Sequence, residues 1–340
     1  MLISRPRRWA LVGLAASTVA VTGVTLVRVH SAALPAGVDA ATAGEHLTAD
    51  LTHSPWFGLR LARADVAFHD RPPAVSTAPA VRAAAGILVD IDSGTILWQR
   101  NAHDSLPPAS TIKLLTALVI LDNFKLDKRI TVAAGALQQA SDESKMGLKQ
   151  GEQLSVEELL TGMLTVSAND AADALAIGTV GMERFVGAMN AQAAALGLRD
   201  THATSPVGLS DPGTYSSPYD LAVLATVDEN SFGLFADVVK TQYITLAATT
   251  THPAFYLSNL NLLLSLYPAA TGIKTGWTGE AGACLVAMAV RGHHRLVSVL
   301  LNADYVYGTS RRLLDWGFVQ EGLPSQLPTP SPTPSPAMTH

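Results

Sequence analysis

A chain of 340 residues, 48% hydrophobic and 15% charged, has ample material for a core and length enough for two domains. Its net charge of −5, with Lys and Arg neither abundant nor interleaved with aromatics, gives no case for nucleic acid as a partner. The single cysteine, Cys284, excludes an intramolecular disulfide and says nothing of redox compartment.

The chain begins with a targeting pattern. Arg5, Arg7 and Arg8 precede an uncharged, largely apolar run from Trp9 to Val27, closed by Arg28 and followed by the small residues Ser31, Ala32 and Ala33. A positive region ahead of an apolar one is an export signal. As a helix the run is just long enough to span a bilayer, so residues 1–34 read as a signal peptide or as an N-terminal membrane anchor. Either way the protein is expected outside the cytoplasm, in the periplasm or cell envelope, secreted or anchored by that segment.

Residues 35–82 hold Pro35, Pro55, Pro72, Pro73 and Pro79 among many Ala and Thr, with no sustained periodicity, and read as an Ala/Pro-rich spacer, partly ordered at best. Residues 323–340 alternate Pro with Ser, Thr and Gln, which favours extended conformations and builds no core; a disordered tail is expected. The folded unit is then 83–322, without internal repeats.

Within it, Ala84–Asp90 and Thr95–Arg100 are β-like runs around the turn Asp92-Ser93-Gly94. A helix is expected over Ser110–Phe124, apolar on every face and therefore buried. Ser155 with Glu158 forms a capping box, and a further helical stretch runs from Asp170 to about Leu196, with Gly197 as its C-terminal cap. Ala283–Val290 and Leu296–Asn302 read as strands around Gly292, and Thr309–Trp316 as a closing helix. Strands at both ends with helices between predict an α+β fold whose sheet joins the two termini of the unit.

Three short strings carry chemistry, each occurring once: Ser110-Thr111-Ile112-Lys113, Ser167-Ala168-Asn169 and Lys274-Thr275-Gly276. A serine at a helix start is ordinarily a cap. Lys113, one turn along the same face, changes that reading, because from there its amine can reach the Ser110 hydroxyl. A lysine within a buried apolar helix is costly when charged, and burial favours the neutral amine that acts as a base. The helix N-terminus adds backbone N–H groups facing the group attacked. Ser167 and Asn169 sit between two helices, where capping alone would explain them. Lys274 and Thr275 can hold a carboxylate, and Gly276 with its neighbours lets another backbone approach. An edge lysine also guards exposed strands, so each string alone is weak. Together and in this order they are the parts of a serine acyl-transfer site that uses lysine in place of histidine.

The chain resembles the serine D-alanyl-D-alanine carboxypeptidases, the low-molecular-mass penicillin-binding proteins, over about residues 84–320. The resemblance extends beyond the motifs to Leu164–Ala172, Gly208-Leu209 with Ser217–Leu221, and Gly272–Thr278. It implies a β-lactamase/transpeptidase-like fold, an antiparallel sheet flanked by helices with a helical subdomain. It implies Ser110 as nucleophile, Lys113 as general base, and Ser167 with Asn169 as proton relay and substrate-holding wall. It further implies Lys274, Thr275 and Gly276 as carboxylate-binding strand, and the backbone N–H groups of Ser110 and Trp277 as oxyanion hole. The implied activity is a serine-type hydrolase removing the terminal D-alanine from peptidoglycan stem peptides through an acyl-enzyme, acylated by β-lactams, with no cofactor. Many relatives carry a β-rich C-terminal domain and an amphipathic membrane helix. Here the Pro-rich tail follows the catalytic unit, so membrane contact is expected only through the N-terminal segment. Trp277, directly after the third motif, is bulky beside the acyl pocket.

Two other functions remain to be weighed. A class A-like β-lactamase needs a carboxylate to activate the deacylating water. Between Asn169 and Lys274 only Glu183 and Glu229 are glutamates, and neither sits in a Glu-x-x-Leu-Asn string. A non-catalytic envelope protein that binds muropeptides or β-lactams is opposed by the intact Ser-Lys pair. No metal is expected: His293-His294 lies in a turn with no third ligand at suitable spacing. Of the two motif lysines, Lys113 is expected neutral, whereas Lys274, at an edge facing solvent, is expected protonated.

Overall fold

The computed structural model describes residues 59–61, 64–73 and 78–327. The targeting segment 1–34 and the end of the Pro-rich tail lie outside the described residues. In chain order the elements are β1 (His69–Asp70), β2 (Ala83–Asp90) and β3 (Thr95–Arg100), then a 3-10 turn (Ala109–Ile112) leading into α1 (Lys113–Asn123). There follow β4 (Arg129–Thr131), β5 (Gln153–Ser155), α2 (Val156–Thr165), α3 (Asn169–Thr179), α4 (Met182–Ala195), α5 (Pro218–Ser231) and α6 (Gly233–Lys240). The last set is β6 (Tyr243–Leu246), β7 (Phe255–Ser258), α7 (Leu263–Leu266), β8 (Ala270–Thr278), β9 (Gly282–Arg291), β10 (His294–Ala303) and α8 (Val306–Gln320).

The main sheet has the order β1-β3-β2-β10-β9-β8 and is antiparallel except for β1, which pairs parallel with β3. β2 lies beside β10, with Val89 opposite Val297, so the two ends of the unit close one sheet. Runs such as Gly86–Asp90 are buried without alternation because the sheet is covered on both faces. Ile87, Val89, Val286 and Val299 face the helical core that contains α1. Leu88, Leu285, Leu296 and Leu300 face Leu313, Leu314 and Phe318 of α8. The α+β architecture and the buried α1 are as the sequence predicts.

Three expectations change. The helix read from Asp170 to Leu196 is two helices, broken at Val180–Gly181. The helix expected from Ser110 begins only at Lys113, and Ser110 itself precedes it. It stands in the 3-10 turn with its hydroxyl turned toward other groups. Finally, residues 64–73, inside the expected spacer, are tied to the fold. β1 joins the sheet, Phe68 packs edge-on against Tyr219 at 5.5 Å, and Arg71 pairs with Glu321. These ties are main-chain bonds and isolated side chains, which leave no periodic pattern to read. The capping box at Ser155 and Glu158 and the left-handed Gly197 after α4 stand where the sequence places them.

Candidate active site

Ser110 and Lys113 meet as their spacing requires. Lys113 Nζ lies 2.9 Å from Ser110 Oγ, and it donates to Asn169 Oδ1 at 2.6 Å and to the Val207 carbonyl at 3.2 Å. The lysine is fully buried, and no ion-pair partner lies within salt-bridge distance among the described residues. Burial pulls its pKa from 10.5 to about 7, against the opposing pull of Asp173, Glu143 and Asp170.

Ser167 and Asn169 come from the break between α2 and α3. Ser167 adopts the left-handed conformation at φ 58°, a strained state for a non-glycine residue of about 1–3 kcal/mol. Its hydroxyl bonds neither Ser110 nor Lys113 directly. Asn169, 3% exposed, opens α3 with its main-chain N–H donated to the Ser144 carbonyl at 2.8 Å. Asp170 beside it accepts from the backbone N–H groups of Met146, Gly147 and Leu148, at 2.9, 2.9 and 3.0 Å. That carboxylate pins the loop between β4 and β5 against the start of α3.

The third motif lies on β8. Although β8 ends the sheet, it is not bare: α6 and the 3-10 turn of Ser110 pack against it. Lys274 is therefore 2% exposed, not an edge facing solvent as expected. Its amine donates to the Thr275 carbonyl at 3.0 Å. Burial, and then the nearby Lys113, hold its pKa well below the ordinary lysine value, so protonation at neutral pH does not follow in the free site. Gly276 passes so close to the serine turn that a Cβ would sit 3.0 Å from both Ala109 Cβ and Ser110 N. Trp277 is 72% exposed at the rim.

Ser110, Ser167, Asn169, Thr275, Gly276 and Trp277 line one cleft of about 720 Å³, with the two lysine amines behind its wall. A separate cavity of about 680 Å³ beneath residues 66–70 contains none of the motif residues. Other groups at or beside the cleft belong to none of the three motifs. The Val207 carbonyl acts through the backbone. Gly208, at φ 76°, places that carbonyl, and a Cβ there would meet the Ala109 carbonyl oxygen at 2.1 Å. Asp173, raised to about 6 chiefly by burial, accepts from Gln139. Glu143 lines the cleft wall, whereas Glu183 and Glu229 do not. Among the described residues one trio, Asp90, His294 and Glu321, brings potential metal-ligand atoms within 4.8 Å of one another. Asp90 already accepts from His294 and two backbone N–H groups, and Glu321 is held by Arg71, so these atoms are engaged in ordinary bonds.

Residues 73–305 match the family model described as D-alanyl-D-alanine carboxypeptidase. The chain belongs to that family. It is 34% identical over 255 residues to the D-alanyl-D-alanine carboxypeptidase DacF of Bacillus subtilis, covering 70% of this chain and 62% of that protein. It is 38% identical over 244 residues to the D-alanyl-D-alanine carboxypeptidase DacB2 of Mycobacterium tuberculosis, covering 68% and 81%. The chain thus spans under two thirds of the Bacillus relative and most of the mycobacterial one. Among solved structures, a D-alanyl-D-alanine carboxypeptidase of Mycobacterium tuberculosis superposes with a TM-score of 0.68 at 34% identity, covering 73% of this chain and 96% of its own. The Streptomyces K15 DD-transpeptidase gives 0.67 at 32%, covering 72% and 100%. The fold is therefore the transpeptidase-like one that the three motifs imply.

Proposed function

We propose that this chain is a serine-type D-Ala-D-Ala carboxypeptidase that removes the terminal D-alanine from peptidoglycan stem peptides. The observation that carries the reading is the Lys113 amine, buried, shifted to about 7 and 2.9 Å from Ser110 Oγ. A neutral amine has two N–H bonds and one lone pair. Asn169 Oδ1 and the Val207 carbonyl are acceptors for the two N–H bonds, which leaves the lone pair for the Ser110 proton.

Ser110 Oγ then attacks the carbonyl carbon of the D-Ala–D-Ala amide as its proton passes to Lys113. The backbone N–H groups of Ser110 and Trp277 stabilise the oxyanion. The C–N bond breaks, and the proton returns through Lys113 and Ser167 to the leaving nitrogen, releasing D-alanine. Water, deprotonated by the same lysine, cleaves the Ser110 ester and regenerates the hydroxyl. Asn169 holds the substrate backbone. Lys274 and Thr275 take the terminal carboxylate, whose charge favours the protonated state of Lys274 once it is bound. Gly276 lets the substrate strand lie against β8. β-Lactams, with an amide in a strained ring and a carboxylate beside it, acylate the same serine.

The catalytic unit is proposed to be residues 83–322 with the strap 64–73 bound to it, working outside the cytoplasm after export by residues 1–34. Glu183 and Glu229 lie away from the cleft wall, which disfavours a class A-like β-lactamase. The test is incubation of the purified protein with diacetyl-L-Lys-D-Ala-D-Ala and measurement of free D-alanine. Release by the parent and not by Ser110→Ala supports the reading. Rapid turnover of penicillin without D-alanine release would make the chain a β-lactamase, and stoichiometric binding with neither would make it a binding protein.

A further inference from the structure

Glu143 stands on the long loop between β4 and β5, half-buried, and belongs to none of the three motifs. Its two carboxylate oxygens serve different partners. Oε1 accepts from the Ala140 N–H at 3.0 Å, and Oε2 accepts from Asn169 Nδ2 at 2.7 Å. At the other end of the same amide, Asn169 Oδ1 accepts from Lys113 Nζ at 2.6 Å. A carboxylate only accepts, and the lysine amine donates on this side, so the two neighbours together permit one orientation of the Asn169 amide. Turned over, its NH2 would face the amine and its oxygen would face a carboxylate.

We propose that Glu143 is a positioning residue for acyl transfer: it locks the Asn169 amide with its oxygen on Lys113 and one N–H left toward the cleft. The inference rests on the reading of Ser110 and Lys113 given above. The loop has anchors of its own, since Asp170 accepts from Met146, Gly147 and Leu148 and Ser144 accepts from the Asn169 main chain. Removing Glu143 therefore unlocks the amide without releasing the loop. Glutamine does not substitute, because one of the two carboxylate oxygen positions becomes an NH2, which faces either the Ala140 N–H or Asn169 Nδ2 donor to donor.

Glu143 also adds charge beside the base. The groups facing Lys113 are Glu143 from the loop, Asp170 and Asp173 from α3, and Lys274 from β8. Glu143, Asp170 and Asp173 favour the protonated amine. With Glu143 neutralised the proton is held less firmly, so the acidic limb of acylation moves to lower pH. Asp173, whose own ionisation Glu143 opposes, becomes more fully charged and limits that shift.

The experiment measures the acylation rate constant of a fluorescent penicillin from pH 5 to 9, and release of the penicilloyl group. It uses the parent, Glu143→Ala, Glu143→Gln, Asn169→Ala and the Glu143→Ala/Asn169→Ala pair, with melting temperatures as a check on folding. Glu143→Ala and Glu143→Gln are expected to lose about tenfold in acylation at pH 8, with the acidic limb lowered in both. In the Asn169→Ala background, removing Glu143 should cost less than about twofold further, because the residue acts through that amide. The proposal is overturned by parent-like rates with an unmoved limb in both Glu143 variants. It is equally overturned by the same factor lost with and without Asn169, or by slowing confined to penicilloyl release, which would place Glu143 on the deacylating water. A parent that penicillin does not acylate would instead overturn the reading of Ser110.

Discussion

Lys113 shows how burial brings the pKa of an ordinarily cationic side chain into the range that a base needs. An unperturbed lysine is neutral at pH 7 about once in 2,500 molecules, a deficit of roughly 4.6 kcal/mol. With its pKa lowered to about 7, the amine is neutral in about half of the molecules at that pH. The folded value lies below the unfolded one, so the neutral form accumulates as pH rises through 7. Acylation by penicillin is expected to rise about tenfold per pH unit below pH 7 and to level above it, as read from rate constants between pH 5 and 9. Lys113→Arg, which holds its proton at every accessible pH, should lose at least a thousandfold. Acylation within tenfold of the parent would remove Lys113 from the role of base. Lys274 is a different case from the one its sequence position suggests. A guanidinium at that buried site brings a larger head and a charge that cannot be discharged. Lys274→Arg is expected to lower the melting temperature and cut acylation by about a hundredfold or more. An unchanged melting temperature with acylation within tenfold would show that the site has room after all.

At the scale of elements, the cleft joins the serine turn, the α2–α3 break, the Val207–Gly208 turn, β8 and the loop that carries Glu143. Gly208 holds the third of these within contact of the first. Gly208→Ala meets both the left-handed φ of 76° and a carbonyl oxygen at 2.1 Å, so a loss of about 2–4 kcal/mol and of most acylation is expected. At Gly197, also left-handed but with no atom within 4 Å, the same change should cost about 1 kcal/mol and leave acylation intact. Urea denaturation of both variants, with penicillin labelling, separates clash from backbone strain. Much of this junction was legible in the sequence, and the reason is chemical. Ser110, Lys113, Ser167, Asn169, Lys274 and Thr275 are side chains whose types and spacing name a reaction. The Val207 carbonyl is backbone, and Glu143 reaches Asn169 across 26 positions of chain, so neither has a local pattern. The burial of Lys274 was misjudged because an edge strand was equated with an open one, while the serine turn and α6 cover it.

Over the whole molecule, the α+β order of elements followed from apolar runs at both ends and a helix apolar all round. The strap 64–73 did not, since it is held by a short parallel pairing and by single contacts. The C-terminal boundary also shifts with the packing. Ser325 Oγ and the Gln326 N–H both donate to the buried Asp315 carboxylate, although they lie in the low-complexity tail. Truncation after Leu327 is expected to leave melting temperature and activity unchanged. Truncation after Pro324 strips two bonds from a buried charge and should cost about 1–3 kcal/mol, measured by thermal or urea unfolding. Equal stability of the two truncations would show that Asp315 finds other partners. The central claim, that Ser110 is the acylated nucleophile of a penicillin-sensitive carboxypeptidase, is tested most directly by mapping the adduct. The parent protein is treated with penicillin, digested, and the penicilloyl group located by peptide mass spectrometry. The account predicts one adduct, on Ser110, absent from Ser110→Ala. An adduct on any other serine, or none on a folded parent, would contradict it.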